Sequence, residues 1–235
     1  MKKLAYSILL LDADGTVLDF DRAEKAAFTK TLRRFGMSRR EAGKTYPTYR
    51  RINDDLWKAL ERGEVDKDRL RTLRYERLLR DTPYSAKVKE ISVAYEEALG
   101  HEGQLLPHAR RSLRRLRRNG ARLFLITNGI ASSQYGRIAA AGIGRLFEGL
   151  FISEELGVSK PDPRFFEAVA GKIRDYDPAA ALVVGDRPTS DLAGAEAAGL
   201  PAVWIAPADR ETDRPYRFRC PDLRGLLPFL KEESK

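Results

Sequence analysis

Apolar and polar positions along the chain fall into two textures. Ile8 to Asp12, residues 122 to 127 (Arg-Leu-Phe-Leu-Ile-Thr), 181 to 185 (Ala-Leu-Val-Val-Gly) and 201 to 205 (Pro-Ala-Val-Trp-Ile) are short apolar runs, and each predicts a strand buried on both faces. Between them, helical periodicity predicts helices over His108 to Asn119, Ser132 to Ala141, Arg164 to Ile173 and Ser190 to Ala198. Strand and helix alternating at this spacing give an α/β fold: a doubly wound, Rossmann-like parallel sheet with helices on both faces.

One interval departs from that rhythm. A parallel crossover needs about 30 residues including its helix, yet about 90 residues separate the first strand from the helix at His108. The excess predicts helices over Arg22 to Phe35, Arg39 to Arg62, Lys67 to Arg80 and Ala86 to Leu99, punctuated by Gly36, Gly63, Pro83 and Gly100. The expected organisation is a catalytic core of residues 1–18 and 104–235 with an all-helical cap, residues 19–103, inserted after strand one. Loops at the carboxyl ends of parallel strands are where such sheets bind ligands, so the insertion is expected over the site.

Composition narrows the class. With 235 residues, 43% of them hydrophobic, the chain can bury a sizeable core, which excludes a disordered protein. No apolar run, Ile8 to Leu11 included, approaches the roughly 18 to 20 residues that span a bilayer, so no membrane partner is expected. Met1-Lys2-Lys3 has the basic character of a signal peptide's start, but the apolar stretch behind it meets Asp12 and Asp14 too soon. The single cysteine, Cys220, fits a reducing compartment, and the expected location is cytoplasmic. The net charge of +9, from 43 Lys and Arg against 34 Asp and Glu, comes largely from His108 to Arg122, a stretch with seven arginines and no acid. Leu113 and Leu116 give it one buried side, so it reads as a solvated helix face in preference to a nucleic-acid surface.

Candidate chemistry gathers at strand ends. Asp12-Ala13-Asp14-Gly15-Thr16 places two carboxylates two residues apart, on one face of a strand's end. Such a pair repels itself unless a cation or a proton intervenes. It is either a site for a hard cation such as Mg2+ or a solvated strand-to-turn junction. Thr127-Asn128-Gly129 offers a hydroxyl and main-chain N–H groups to an anion, or simply caps a helix. Lys160-Pro161 holds a lysine in extended backbone, where its ammonium can point inward or outward. Gly185-Asp186 closes another strand, and Asp191 opens the following helix either as a ligand's neighbour or as an N-cap. Their conjunction matters more than any member. Asp12, Asp14, Thr127, Lys160 and Asp186 all lie at or just after the one sheet edge where they could converge, as a metal-assisted phosphate site would require.

In that order and spacing these four segments resemble the motifs of the haloacid dehalogenase-like hydrolase superfamily, in its subgroup with a helical cap after motif one, and the resemblance covers nearly the whole chain. It implies Asp12 as a nucleophile forming an aspartyl-phosphate, Asp14 as general acid and then base, and Thr127, Asn128 and Lys160 around the phosphoryl group. It implies Mg2+ held by Asp12, the main-chain carbonyl of Asp14 and Asp186, with Asp191 supporting the metal or Lys160 from outside. Displacing a halide needs no proton donor, and the superfamily's dehalogenases lack an acid at the position of Asp14, so this chain is expected to be a phosphatase of small phosphorylated metabolites.

The stretch from Tyr49 to Trp57, with Gly63 and Arg74-Tyr75-Glu76, is similar to the cap of bacterial pyrimidine 5'-nucleotidases acting on noncanonical nucleoside monophosphates. Motif one reads Asp-Gly-Thr where that subgroup often has Asp-Glu-Thr. In the cap, Trp57 could stack on a base and Asn53 could hydrogen-bond its edge, or Trp57 could be core with Leu56 and Leu60. The alternatives are a sugar-phosphate or phosphoglycolate phosphatase, and from other classes a phosphoryl-accepting regulator or a nucleic-acid binder. A receiver-type regulator carries its acceptor Asp on the third strand and lacks the insertion. The expected state is a monomer or homodimer.

Overall fold

The computed structural model describes residues 4–232; Met1-Lys2-Lys3, read above for its basic character, lies outside them. Along the chain run β1 (Ile8–Asp12), α1 (Phe20–Arg34), α2 (Arg39–Glu61), α3 (Lys67–Leu79), α4 (Val88–Gly100), α5 (Ala109–Arg118), β2 (Arg122–Thr127) and α6 (Ala131–Ala140). They are followed by β3 (Gly149–Ile152), α7 (Ser153–Leu156), α8 (Pro163–Ala170), β4 (Ala181–Gly185), α9 (Ala193–Ala197), β5 (Ala202–Ile205), β6 (Phe218–Cys220) and α10 (Leu226–Glu232). Contacts divide these into two compact units. One runs to Phe20 and takes up Gln104–Ala131 and the chain from Ala141; the other holds Asp21–Gly103 and Ser132–Ala140.

The first unit carries a six-stranded sheet in the order β3-β2-β1-β4-β5-β6, parallel throughout, which is a Rossmann-like α/β arrangement. Every residue of β1 and of β4 is buried, as their unbroken apolar sequences require. Alternate residues of the strands enter one core cluster, where Ile8, Leu10, Phe124, Ile126, Val183 and Trp204 meet Phe165, Phe166 and Val169 of α8. β1 lies between β2 and β4, the place where the strand order reverses. In such sheets the crevice at the strands' carboxyl ends opens there. The register sets Asp12 level with Ile126 and Leu11 level with Val184, so the chain leaves β1, β2 and β4 at nearly one height. After β1, residues 13–18 fold back in a tight turn, Leu18 N donating to Ala13 O at 2.7 Å.

The second unit is helical. Ser38 and Glu41 close a reciprocal capping box at the start of α2, with bonds of 3.2 and 2.8 Å. Ile52, Leu56 and Leu70 form a cluster between α2 and α3, covered by Trp57, Leu60, Leu73 and Leu78. Residues 132–140, expected with the sheet, are grouped by their contacts with the helices. The reason is a close approach of α6 to α4: a Cβ on Gly136 would lie 2.6 Å from Gly100 O, so two glycines let the backbones touch. Ser133 adds a bond to Glu96 Oε2 at 2.6 Å.

Candidate active site

Three strand ends and one loop supply the side chains. Asp12 closes β1, Thr127 closes β2, Asp186 follows β4, and Lys160 stands in the loop after α7, before a cis Pro161. Asp191 belongs to a π turn, Pro188–Leu192, and not to the start of a regular helix. One carboxylate oxygen each from Asp12, Asp186 and Asp191 lies within 4.8 Å of the others, and Asp12 and Asp191 are buried.

Lys160 is the hub. Its Nζ donates to Asp12 Oδ1 at 2.6 Å and to Asp191 Oδ1 at 2.7 Å, with the ammonium enclosed. Asp191 is held at its other end by Arg187 N, which donates to Oδ2 at 3.0 Å. Asn128 fixes the main chain of Lys160 from both sides: Nδ2 donates to Lys160 O at 2.8 Å, and Oδ1 accepts from Lys160 N at 2.9 Å. The Thr127 hydroxyl oxygen accepts from Gly129 N at 3.0 Å. Trp204 Nε1 donates to Asp186 O at 3.1 Å and fixes the backbone behind that carboxylate.

Two glycines make room for the acids. Gly15, at φ +88°, lets the backbone pass beside Asp186, where a Cβ would fall on the carboxylate. A Cβ on Gly185 would fall on the carboxylate of Asp191.

The charges do not balance. Burial pushes Asp12 well above the ordinary carboxylate range against the pull of Lys160, and Asp191 and Asp186 add to the rise. Asp186 is pushed up to about 7 by burial and by Asp191. Burial opposes the charged form of Lys160, but Asp12 and Asp191 more than offset it and hold the ammonium protonated. One cation thus faces three carboxylates in a place with little water to screen them.

Asn53 and Trp57 both belong to the helical unit. Asn53 is enclosed within the helical unit, where Nδ2 donates to Glu24 Oε1 at 2.8 Å and Oδ1 accepts from Arg74 at 3.4 Å. Trp57 packs on the Ile52, Leu56 and Leu70 cluster, the core placement weighed against base stacking. Nothing local in either segment indicates the grip of Asn128 on Lys160.

A family model for haloacid dehalogenase-like hydrolases matches residues 6–199 of the chain. The chain belongs to that family. The chain is therefore a hydrolase. Among similar members, the pyrimidine 5'-nucleotidase PynA of Streptococcus pneumoniae is 35% identical over 202 residues, covering 86% of this chain and 84% of that protein. The HAD-hydrolase YfnB of Bacillus subtilis is 31% identical over 221 residues, 94% and 92% of the two chains. A crystal structure of YfnB bound to magnesium matches with a TM-score of 0.88 at 28% identity, over 96% of this chain and 98% of that one. Among the described residues, no helix is long and apolar enough to cross a membrane.

Proposed function

We propose that this hydrolase is a Mg2+-dependent phosphomonoesterase working through an aspartyl-phosphate on Asp12, with pyrimidine nucleoside 5'-monophosphates as substrates. The observation that carries the reading is the convergence of Asp12, Asp186 and Asp191 around Lys160 at the carboxyl edge of the sheet. The substrate choice rests on the similarity to PynA along most of both chains.

The donor set fits the metal. Carboxylate oxygens are hard ligands, and the buried acids outnumber the single ammonium, so a dication would relieve the repulsion that raises Asp12 and Asp186. Asp12, Asp186 and the main-chain carbonyl of Asp14 would hold Mg2+, which when bound neutralises phosphate charge and brings its ligating carboxylates back to the ionised form.

The chain's own residues do the rest. Lys160 offsets the charge between an anionic nucleophile and a phosphate dianion. An oxygen of Asp12 attacks phosphorus in line with the leaving alkoxide, forming the O–P bond of the aspartyl-phosphate as the ester P–O bond breaks. Asp14, half-buried and two residues on, gives its proton to that alkoxide. It then takes a proton from the water that attacks the aspartyl-phosphate, releasing phosphate and restoring Asp12. Thr127 and the main chain at Asn128 supply hydrogen bonds to the phosphoryl oxygens, the Asn128 side chain being committed to Lys160.

The test is phosphate release over a panel of nucleoside monophosphates, sugar phosphates and phosphoglycolate, with and without Mg2+. Preference for pyrimidine monophosphates and loss of turnover on chelation are expected. A sugar phosphate or phosphoglycolate as the best substrate would overturn the substrate choice, and turnover indifferent to chelation would overturn the metal. Asp12→Asn should abolish turnover without unfolding the protein, and activity retained in it would remove the covalent step.

A further inference from the structure

The outer side of α5 carries a dense row of arginines. Ala109, Ser112, Leu113 and Leu116 bury its inner side, while Arg111, Arg114, Arg115 and Arg118 are exposed. These four stand at i, i+3, i+4 and i+7, so their guanidiniums share one face and form a stripe roughly 10 Å long.

The other arginines of the run are occupied. Arg110 donates to the carbonyls of Ala141 and Gly142, Arg117 to Arg145 O at 2.7 Å, and Arg122 to Glu148 and to Arg174 O, both at 2.8 Å. Among the described residues, the four guanidiniums of the stripe have no carboxylate or hydrogen-bond partner. Asp222, the acid on which the charge of His108 acts, is itself held by Arg224 at 2.7 Å. The stripe borders an open groove of about 650 Å³ whose floor includes Leu105, Leu106 and His108.

The surroundings select the partner. Several surface acids of this chain are already engaged by its own arginines, among them Glu97 with Arg34 and Glu196 with Arg214. The exposed acids outside ion pairs, such as Asp54 and Asp55 of α2, Glu90 of α4 and Glu167 of α8, stand on different elements, so a second copy offers scattered negative charge in place of a regular row. The exposed large hydrophobic residues, Val93, Tyr135 and Tyr216, are not on α5, so the stripe lacks the apolar anchors by which a helix enters a membrane surface. A linear array of unpaired guanidiniums suits an anion that repeats along a line, and guanidinium matches phosphate oxygens two at a time.

We propose that the Arg111, Arg114, Arg115 and Arg118 face of α5 binds the phosphate backbone of a nucleic acid without reading its bases. The test is fluorescence anisotropy of a labelled DNA duplex against salt concentration, for the full chain and two variants of equal net charge. In one, Arg111, Arg114, Arg115 and Arg118 are each changed to Gln; in the other, Arg33, Arg39, Arg40 and Arg51 are. Each phosphate contact contributes close to 0.9 to the slope of log K against log salt, so the α5 variant should lose about 3.6 from it and bind at least tenfold more weakly. The control variant should keep its slope within about 1. Turnover of p-nitrophenyl phosphate should be unchanged in both, which verifies folding; if the α5 variant fails to fold, the pair Arg114→Glu and Arg118→Glu serves in its place. Equal losses in the α5 and control variants, absence of duplex binding by the unaltered chain, or binding to phosphatidylserine vesicles without binding to DNA would each overturn the proposal.

Discussion

Asn128 clasps the main chain of Lys160 through two hydrogen bonds, one at 2.8 Å to its carbonyl and one at 2.9 Å from its N–H. The clasp joins the end of β2 to the loop that carries the buried ammonium, and so sets where Nζ meets Asp12 and Asp191. Asn128→Ala removes both bonds and leaves the charges in place. The expected result is a kcat lower by about 100-fold, the scale at which misplacing a charged group by an ångström is felt. Steady-state kinetics against Mg2+ checks it; turnover within twofold of the unaltered enzyme would mean that the clasp does not position Lys160.

Glycine substitutions should separate the site from the scaffold. Gly185→Ala puts a methyl group onto the Asp191 carboxylate, which Lys160 and Arg187 N hold from either side. The acid has no free direction to move, so a stability loss of about 2 kcal/mol, together with loss of activity, is expected. Gly43→Ala, in the helical unit with open space around it, should instead raise stability by up to about 1 kcal/mol and leave activity alone. Urea denaturation of the two variants gives the opposite signs directly.

The fold was legible where burial writes an unbroken apolar run. Ile8–Asp12, Arg122–Thr127 and Ala181–Gly185 are strands covered on both faces, and their bounds coincide with those runs. β3 and β6 leave no such signature. Gly149 and Leu150 are only half-buried, and β6 is a three-residue edge strand in which Phe218 and Arg219 remain partly exposed. The acids and the lysine of the candidate site could be picked out because each lies at or beyond the carboxyl end of a parallel strand. Their pairing could not be. Asn128 and Lys160 are 32 residues apart, and Asn53 and Glu24 are 29 apart; nothing in either local sequence indicates a partner that only packing provides. The same holds for residues 132–140, whose place beside α4 depends on two glycines, at 100 and 136, touching across helices.

That helix contact is itself open to test. A methyl at Gly136 would meet main-chain atoms of Gly100, which have no rotamer to escape into. Gly136→Ala should separate α4 from α6 and strain the Ser133 to Glu96 bond, at a cost of about 1–3 kcal/mol. Gly100→Ala meets its nearest neighbour at 3.9 Å and should be tolerated. Thermal unfolding of the pair distinguishes a contact read in this direction from a general intolerance of either position.

Glu24 gives the helical unit a pH dependence of its own. Its buried carboxyl accepts from Tyr46 Oη at 2.9 Å and from Asn53 at 2.8 Å, and burial still pushes it up to about 7 from an ordinary 4.5, against the pull of the Tyr46 bond. Between these two values the folded chain holds a proton that the unfolded chain has released. Stability from this group is therefore fully present below about 4.5 and falls as pH rises to about 7, by about 3 kcal/mol if no other group compensates. Asp12 and Asp186 are raised too and add slopes of the same sign, so the difference between two proteins is the useful quantity. Glu24→Gln keeps an acceptor for Tyr46 and cannot ionise. Measured by urea unfolding across that range, its stability relative to the unaltered chain should improve steadily with rising pH and level off above about 7. A difference that stays flat across the range would show that Glu24 ionises in the folded chain as it does in water.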